Sequence, residues 1–221
     1  MIVLALDGAL GAFSAAVADG DRIVASRSET GAVALEHGLA MVAGVLADAG
    51  ARPERIDRLA VGIGPGGFTG LRIAVAYAKS LAAVWQRPLI PIDSFDLLEF
   101  GEAFGRALAV VVGRPGVISA RCRSEAGARR ASGRIADVLD LLGLRRSALG
   151  MTEPSLEVVG APKDVLDALA ERGITVRSFD ARVTPAAAAA ALAAQSRALP
   201  ASLHEVRADY GELPAATPPR F

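Results

Sequence analysis

The sequence has few of the residues that build many functional sites. Cys122 is the only cysteine among 221 residues, which excludes an intrachain disulfide and a thiolate metal site and is typical of a reducing compartment. The two histidines, His37 and His204, lie far apart in the sequence, and we expect both to be surface or capping residues. The first apolar run meets Asp7 too early for a signal peptide, and the alanines of 186–194 are too few to cross a bilayer. We therefore expect a cytoplasmic protein without membrane contact.

Net charge is also lacking, because 24 basic residues balance 24 acidic ones. A neutral chain has no overall field to draw it onto nucleic acid, so such contact would need a local basic patch. The densest basic stretch lies between residues 121 and 134. We interpret it as a solvated face, with a nucleic-acid contact as the alternative. Its arginines are Arg121, Arg123, Arg129, Arg130 and Arg134.

Apolar runs broken by turn residues predict an α/β fold in two parts. Residues 1–100 follow the pattern βββαβαβ, in which three strands precede helices that alternate with buried strands. The chain continues with a hairpin around 113–116, a βαβ-like unit and an alanine-rich helix that Thr184 and Pro185 open. We expect an amino-terminal lobe at 1–100 and a reduced carboxy-terminal lobe at 101–221 with a loose proline-rich tail.

Two predicted helices carry more apolar surface than one core contact needs. The first, Leu35–Ala49, has two adjacent apolar stripes on an arc of roughly 200°, about twice what a helix lying on a core requires. The stripe with Leu39 and Leu46 is predicted to face the core. The stripe with Gly38 and Met41 is predicted either to pack against another part of the chain or to meet another protein.

The second helix, Gly70–Gln86, is apolar nearly all round. Its narrow polar line includes Arg72 and Lys79, and Ala76 and Ala83 flank that line. Small residues allow another helix to approach closely, and the two cations can pair with carboxylates across an interface. The predicted partner-facing residues of both helices are Leu35, Gly38, Met41, Val42, Val45, Arg72, Ala76, Lys79 and Ala83.

A glycine-rich loop separates the fourth predicted strand from the second helix, which Thr69 is predicted to cap. The loop Gly62-Ile63-Gly64-Pro65-Gly66-Gly67 matches the dinucleotide pattern G-x-G-x-x-G. However, it does not follow the first strand, and no acidic residue stands at the ribose-binding distance. Two interpretations stay open: the helix start binds an anion with its N–H groups, or the glycines only permit a tight turn.

The residues around this loop resemble the signature of one known family. Residues 64–73, together with Ala78-Lys79-Ser80-Leu81-Ala82, are similar to the GPGSFTGLRIG and AKGLA segments of the TsaB (YeaZ) family. The segments Ile2–Asp7, Glu36-His37 and Pro91–Leu98 resemble further motifs of the same family. The resemblance covers about residues 1–100. Its loop residues are Gly64, Pro65, Gly66, Gly67, Phe68, Thr69 and Gly70.

The resemblance implies an actin/hexokinase-like (ASKHA) two-lobed α/β fold with mixed sheets opening βββαβα and a reduced second lobe. It implies a non-catalytic subunit of the machinery that makes N6-threonylcarbamoyladenosine in tRNA. Such a subunit binds the transferase TsaD through its amino-terminal helices and, through TsaD, the ATPase TsaE. Alone it is expected to form a homodimer. It is expected to meet tRNA only indirectly and to hold no cofactor, with ATP or ADP present only in the assembled complex.

Two other functions stay open, and several residues bear on them. A kinase, transferase or metallopeptidase-like enzyme of this fold would need a nucleotide or a metal between two complete lobes, whereas a free-standing homodimeric regulator would use the same helices. Ser94 and Leu98 stand where catalytic relatives have two metal-binding histidines, so no metal is expected. Gly8 and Ala9 replace the Thr-Ser that follows Asp7 in the family. We therefore interpret Asp7 as a structural turn residue, with a vestigial phosphate site as the alternative.

Overall fold

The chain forms two five-stranded mixed sheets with helices packed against them. The first sheet has the order β3-β2-β1-β4-β5, with β2 antiparallel to β1 and β3, and with β1, β4 and β5 parallel. Its strands are β1 (Ile2–Asp7), β2 (Ala12–Asp19), β3 (Arg22–Thr30), β4 (Arg58–Gly62) and β5 (Leu89–Ile92). The computed structural model describes residues 1–31, 37–101, 106–125, 127–145, 155–197, 199–200 and 202–211.

The second sheet repeats the strand order of the first. Its order is β10-β9-β6-β7-β8, in which β7 is antiparallel to β6 and β8, while β6, β9 and β10 are parallel. A two-residue connection between β6 and β7 forms the hairpin predicted around 113–116. The strands are β6 (Ala107–Arg114), β7 (Val117–Ser124), β8 (Gly127–Arg134), β9 (Ser155–Val159) and β10 (Thr175–Phe179).

The helices differ more between the two halves than the strands do. In the described part of the chain the first half has α1 (Gly38–Asp48) and α2 (Phe68–Trp85), of 11 and 18 residues. Their counterparts α4 (Ile135–Leu141) and α5 (Lys163–Glu171) have 7 and 9 residues. The second half is therefore reduced in its helices, while its sheet has as many strands as the first.

The last described helix, α6 (Pro185–Gln195), crosses back to the first half. Its alanines pack on the face of the first sheet opposite α1 and α2, against Val3, Ala5 and Ala60. Alanine suits this position because its small side chain lets the helix backbone lie close to the strands. The amide of Ala186 also donates a hydrogen bond to the buried Ser14 hydroxyl. Both faces of the first sheet are therefore covered by helices.

A short helix follows the last strand of the first sheet, and polar side chains cap the starts of two helices. A five-residue helix, α3 (Ser94–Leu98), follows β5, and the Asp93 carboxylate accepts a hydrogen bond from the Phe95 amide at its start. Thr184 caps α6, as predicted. No helix within the described residues is long and apolar enough to cross a membrane.

Candidate functional site

The two helices predicted to bind a partner lie on one face of the first sheet. They contribute to one buried cluster, and a Cβ on Gly38 of α1 would run into the rings of Tyr77 on α2 and Phe13 on β2. An ion pair of 2.6 Å between Arg27 and Asp48 joins β3 to the end of α1. This packing fixes which sides of the helices remain outside.

The orientation of α1 differs from the prediction. Leu39, predicted to face the core, is 50% exposed, whereas four residues predicted to face a partner are buried in the chain's own core. The two apolar stripes are adjacent on the helix, and the residues that pack into the core lie between the centres of the two stripes. Gly38 rather than Leu39 faces Tyr77, because the space beside this ring has no room for a side chain. Leu35 lies outside the described residues. The four buried residues are Gly38, Met41, Val42 and Val45.

Small and apolar residues cover the outward side of both helices. Arg72, Ala76 and Ala83 are exposed and Lys79 is half-buried, while Val84 is 78% exposed. We call this surface the outer helical face. It consists of Leu39, Ala40, Ala43 and Ala47 on α1 and of Phe68, Arg72, Ala76, Lys79, Ala83 and Val84 on α2.

The glycine loop is held by backbone contacts on two sides. The Gly67 amide donates to the Ala9 carbonyl at 2.8 Å, and a Cβ on Gly66 would collide with the same carbonyl. A Cβ on Gly64, whose φ is +100°, would collide with the Asp209 carbonyl. The glycines therefore allow three backbone segments to meet, which favours the tight-turn interpretation.

The segment 202–211 covers the loop from its second side. The Asp209 amide donates to the Ile63 carbonyl at 2.6 Å, and the Tyr210 ring lies 5.1 Å from the Phe68 ring. Carbonyl oxygens carry partial negative charge, so the Ala9 and Asp209 carbonyls at this loop disfavour an anion there. The expectation that Thr69 caps α2 is wrong, because the helix already begins at Phe68 and Gly67 occupies the cap position.

Asp7 is fully buried at the end of β1. Its Oδ1 atom accepts hydrogen bonds from the amides of Ala9 and Leu10 at 3.2 and 3.3 Å, whereas Oδ2 has no partner among the described residues. Burial raises the pKa of this carboxyl to about 7, although the two amide hydrogen bonds oppose the shift. The Oδ1 contacts are those of a turn-forming aspartate. The unpaired Oδ2 is the single feature that the phosphate alternative would use.

The two positions aligned with metal-binding histidines are both in the interior. Ser94 is fully buried and Leu98 is 9% exposed. Leu98 packs with Phe95, Ala109 and Val159 in a small cluster between α3 and the second sheet. Leucine has no metal-binding atom, so this part of the chain holds the two halves together by apolar contact.

The basic stretch is a solvated face, as predicted, at four of its five arginines, which are exposed. The exception is Arg121, which belongs to an ionic network beside this cluster. Arg121, whose side chain is 4% exposed, has its Nη1 atom 2.7 Å from an Asp96 oxygen and its Nη2 atom 2.8 Å from a Glu99 oxygen. Burial lowers the pKa of this guanidinium, but the hydrogen bonds it donates to the carboxylates of Glu99 and Asp96, together with their negative charge, outweigh burial and raise the pKa overall. Arg130 lies 2.7 Å from Asp93.

Two further arginines of the stretch have partners as well. Arg123 lies 2.9 Å from Glu99, and Arg129 donates to the Leu141 carbonyl, while Arg134 is exposed. The sequence contains a signal for the network, because Asp93, Asp96 and Glu99 recur every three residues. Their pairing with residues more than twenty positions away was not predicted.

Comparison with known proteins finds a family match over the part of the chain that contains α1, the glycine loop, α2 and α3. Residues 35–121 match the family model described as TsaD, tRNA N6-adenosine threonylcarbamoyltransferase. A stretch of 60 residues is 38% identical to the tRNA threonylcarbamoyladenosine biosynthesis protein TsaB of Haemophilus influenzae, covering 27% of this chain and 25% of that protein. The chain spans less than a third of the length of the curated relatives it matches.

The solved structures extend the similarity over nearly the whole chain. YeaZ from Pseudomonas aeruginosa is 26% identical, with a TM-score of 0.62 over 87% of this chain and 90% of that one. The resemblance to the TsaB (YeaZ) family is confirmed.

The fold class is confirmed as well. Component A of the (R)-2-hydroxyglutaryl-CoA dehydratase from Acidaminococcus fermentans has a TM-score of 0.50 at 12% identity, over 88% of this chain and 98% of that one. This second likeness shows the fold alone. With the two matching mixed sheets, it supports the predicted α/β class. The outer helical face and the glycine loop both lie within the segment that matches the TsaD family model.

Proposed function

We propose that this chain is a non-catalytic scaffold subunit of the machinery that makes N6-threonylcarbamoyladenosine in tRNA, and that its outer helical face binds TsaD. The observation that carries the proposal is the exposure of Leu39, Phe68 and Val84 beside a row of alanines on two neighbouring helices. Covering each of these three large side chains would contribute about 1–2 kcal/mol. A helical partner can approach the alanines closely.

The scaffold role is supported by the glycine loop and by the two positions where catalytic relatives are expected to bind a metal. The glycine loop contacts carbonyls of its own chain at Ala9 and Asp209, and Ser94 and Leu98 are buried between the halves. We therefore propose that any ATP or ADP is held only in the assembled complex and that TsaE joins through TsaD. In this proposal tRNA contacts the partner rather than this chain.

The proposal predicts that a charge on the outer helical face prevents binding of TsaD. Ala76→Glu on α2 and Ala43→Glu on α1 place a carboxylate on exposed alanines, so each variant should fold normally. Each should weaken binding to TsaD from the same organism roughly tenfold or more, because a charge would be desolvated in an apolar contact. Isothermal titration calorimetry measures the affinity.

The matched control is Ala170→Glu, an exposed alanine on α5 in the second half of the chain. It adds the same charge to a helix outside the outer helical face and should leave the affinity for TsaD unchanged. Equal affinities for Ala76→Glu, Ala43→Glu and the unmodified chain would refute the proposed surface.

The same face is proposed to form the homodimer when TsaD is absent. A shared surface requires the homodimer to dissociate as TsaD binds, so light scattering should show one copy of this chain for each TsaD. The Ala76→Glu variant should be monomeric alone. A dimer that persists in this variant and binds TsaD intact would separate the two interfaces and count against this part of the proposal.

A further inference from the structure

A pocket of about 430 Å³ lies where β1 and β3 begin and β2 ends, at the opposite end of β1 from the glycine loop. Its apolar lining includes Ile2 on β1, Val17 on β2 and Val24 on β3. The segment that follows α1 closes its other side. This volume is in the range of sites for small ligands, which are typically apolar with a few polar groups.

Three arginines from different segments border this pocket. Arg22 begins β3, Arg52 follows α1, and Arg55 ends a short 3₁₀ helix. Within the described part of the chain, none of their side chains makes a hydrogen bond or an ion pair. In contrast, Arg58 and Arg87 nearby in the sequence donate to backbone carbonyls. The three guanidinium groups are therefore available to a ligand.

The remaining charges of the pocket do not neutralise these arginines. Asp19 is its one carboxylate in the described lining, and that carboxylate lies 3.0 Å from the Met1 ammonium group. The negative end of α1 is capped, because the amides of Gly50 and Ala51 donate to carbonyls of the last helical turn. Among the described lining residues three arginines thus outnumber the single carboxylate, while the Asp57 carboxylate beside the pocket accepts a hydrogen bond from the Ile2 amide.

We propose that this arginine pocket, bordered by Arg22, Arg52 and Arg55, binds a small phosphate monoester with a compact apolar group. A guanidinium group matches the geometry of phosphate oxygens and binds them in pairs. The dianionic phosphate would contact the arginines, while the apolar group would cover the half-buried Ile2 and Val24. This inference does not depend on the proposed binding of TsaD, because it concerns a different set of residues.

Phenyl phosphate is a suitable probe, since it combines a phosphate with a ring that fits the apolar floor. Calorimetric titration of the intact chain should show saturable binding that weakens as salt is added. The double substitution Arg52→Gln and Arg55→Gln should reduce the affinity roughly tenfold or more. Inorganic phosphate should bind more weakly than phenyl phosphate, because it leaves the apolar floor uncovered.

The control is the double substitution Arg134→Gln and Arg197→Gln, which removes the same charge from two exposed arginines outside the pocket. It should bind phenyl phosphate like the unmodified chain. Equal loss in both double variants would show a general charge effect and overturn the proposal. Absence of saturable binding would overturn it as well. So would binding of tRNA that depends on Arg52 and Arg55 without any binding of phenyl phosphate.

Discussion

Asp7 has a fully buried carboxyl group at the end of β1, and one of its two oxygen atoms has no hydrogen-bond partner among the described residues. Its pKa in the folded chain is about 7, against 3.8 for a free side chain, because burial disfavours the charged form. Between about pH 4 and pH 7 the folded state therefore keeps a proton that the unfolded state releases. Stability should fall as the pH rises through this range and level off above it.

The variant Asp7→Asn should remove this pH dependence. Asparagine keeps an acceptor for the Ala9 and Leu10 amides but never becomes charged. We expect it to be more stable than the unmodified chain at pH 8, by about 4 kcal/mol, with the advantage disappearing near pH 4. Thermal unfolding across this pH range measures the difference.

Asp57→Asn is the control for this effect. Asp57 is exposed and accepts a hydrogen bond from the Ile2 amide, so its substitution should leave the slope between pH 4 and pH 7 as it is. If Asp7→Asn and the unmodified chain follow parallel curves, the carboxyl does not carry its proton into the neutral range.

At the scale of elements, Arg121 adds an ionic attachment to the apolar cluster that joins α3 to the second sheet. This buried guanidinium lies between the carboxylates of Asp96 and Glu99 and 5.3 Å from the ring of Phe95. Replacing it by methionine would leave the nearly buried Glu99 carboxylate with weaker compensation. The variant Arg121→Met should lower the free energy of unfolding by about 3 kcal/mol.

Urea unfolding of Arg121→Met and Arg123→Met compares two arginines that share Glu99. The Arg123 side chain is 45% exposed, so its removal should cost less than about 1 kcal/mol. Adding Glu99→Gln to Arg121→Met should recover part of the lost stability, because the unpaired charge is then gone. Similar losses for both single variants would mean that burial of Arg121 has no special effect.

The positions of most elements could be predicted from local patterns, but their contacts could not. The βαβ-like unit predicted after the hairpin is formed by β9, α5 and β10, whose two strands pair in parallel. β8 was missed, since its sequence GARRASGR has no apolar alternation and its Arg130 pairs with Asp93, a partner far away in the sequence. The orientation of α1 about its own axis was also predicted wrongly. Its two adjacent stripes are equally apolar, so the sequence does not indicate which of them faces the core.

At the scale of the whole molecule, a segment from the end of the described chain covers the glycine loop. Segment 202–211 lies against this loop, and the network around Arg121 holds α3 to the second sheet. We expect calorimetric titration with ATP and magnesium to give no saturable heat for the isolated Arg52→Gln and Arg55→Gln double variant, in which the arginine pocket is disabled. The same variant titrated in the presence of TsaD is the comparison. Saturable binding of ATP to the isolated variant would favour the kinase or transferase alternative.

The position of α6 has a consequence for biosynthesis. One face of the first sheet, formed by strands that leave the ribosome early, stays uncovered until residues 185–195 have been made. Contacts between such distant parts of a chain form late. The nascent amino-terminal half therefore exposes an apolar surface during most of translation and is prone to aggregate until α6 has been made.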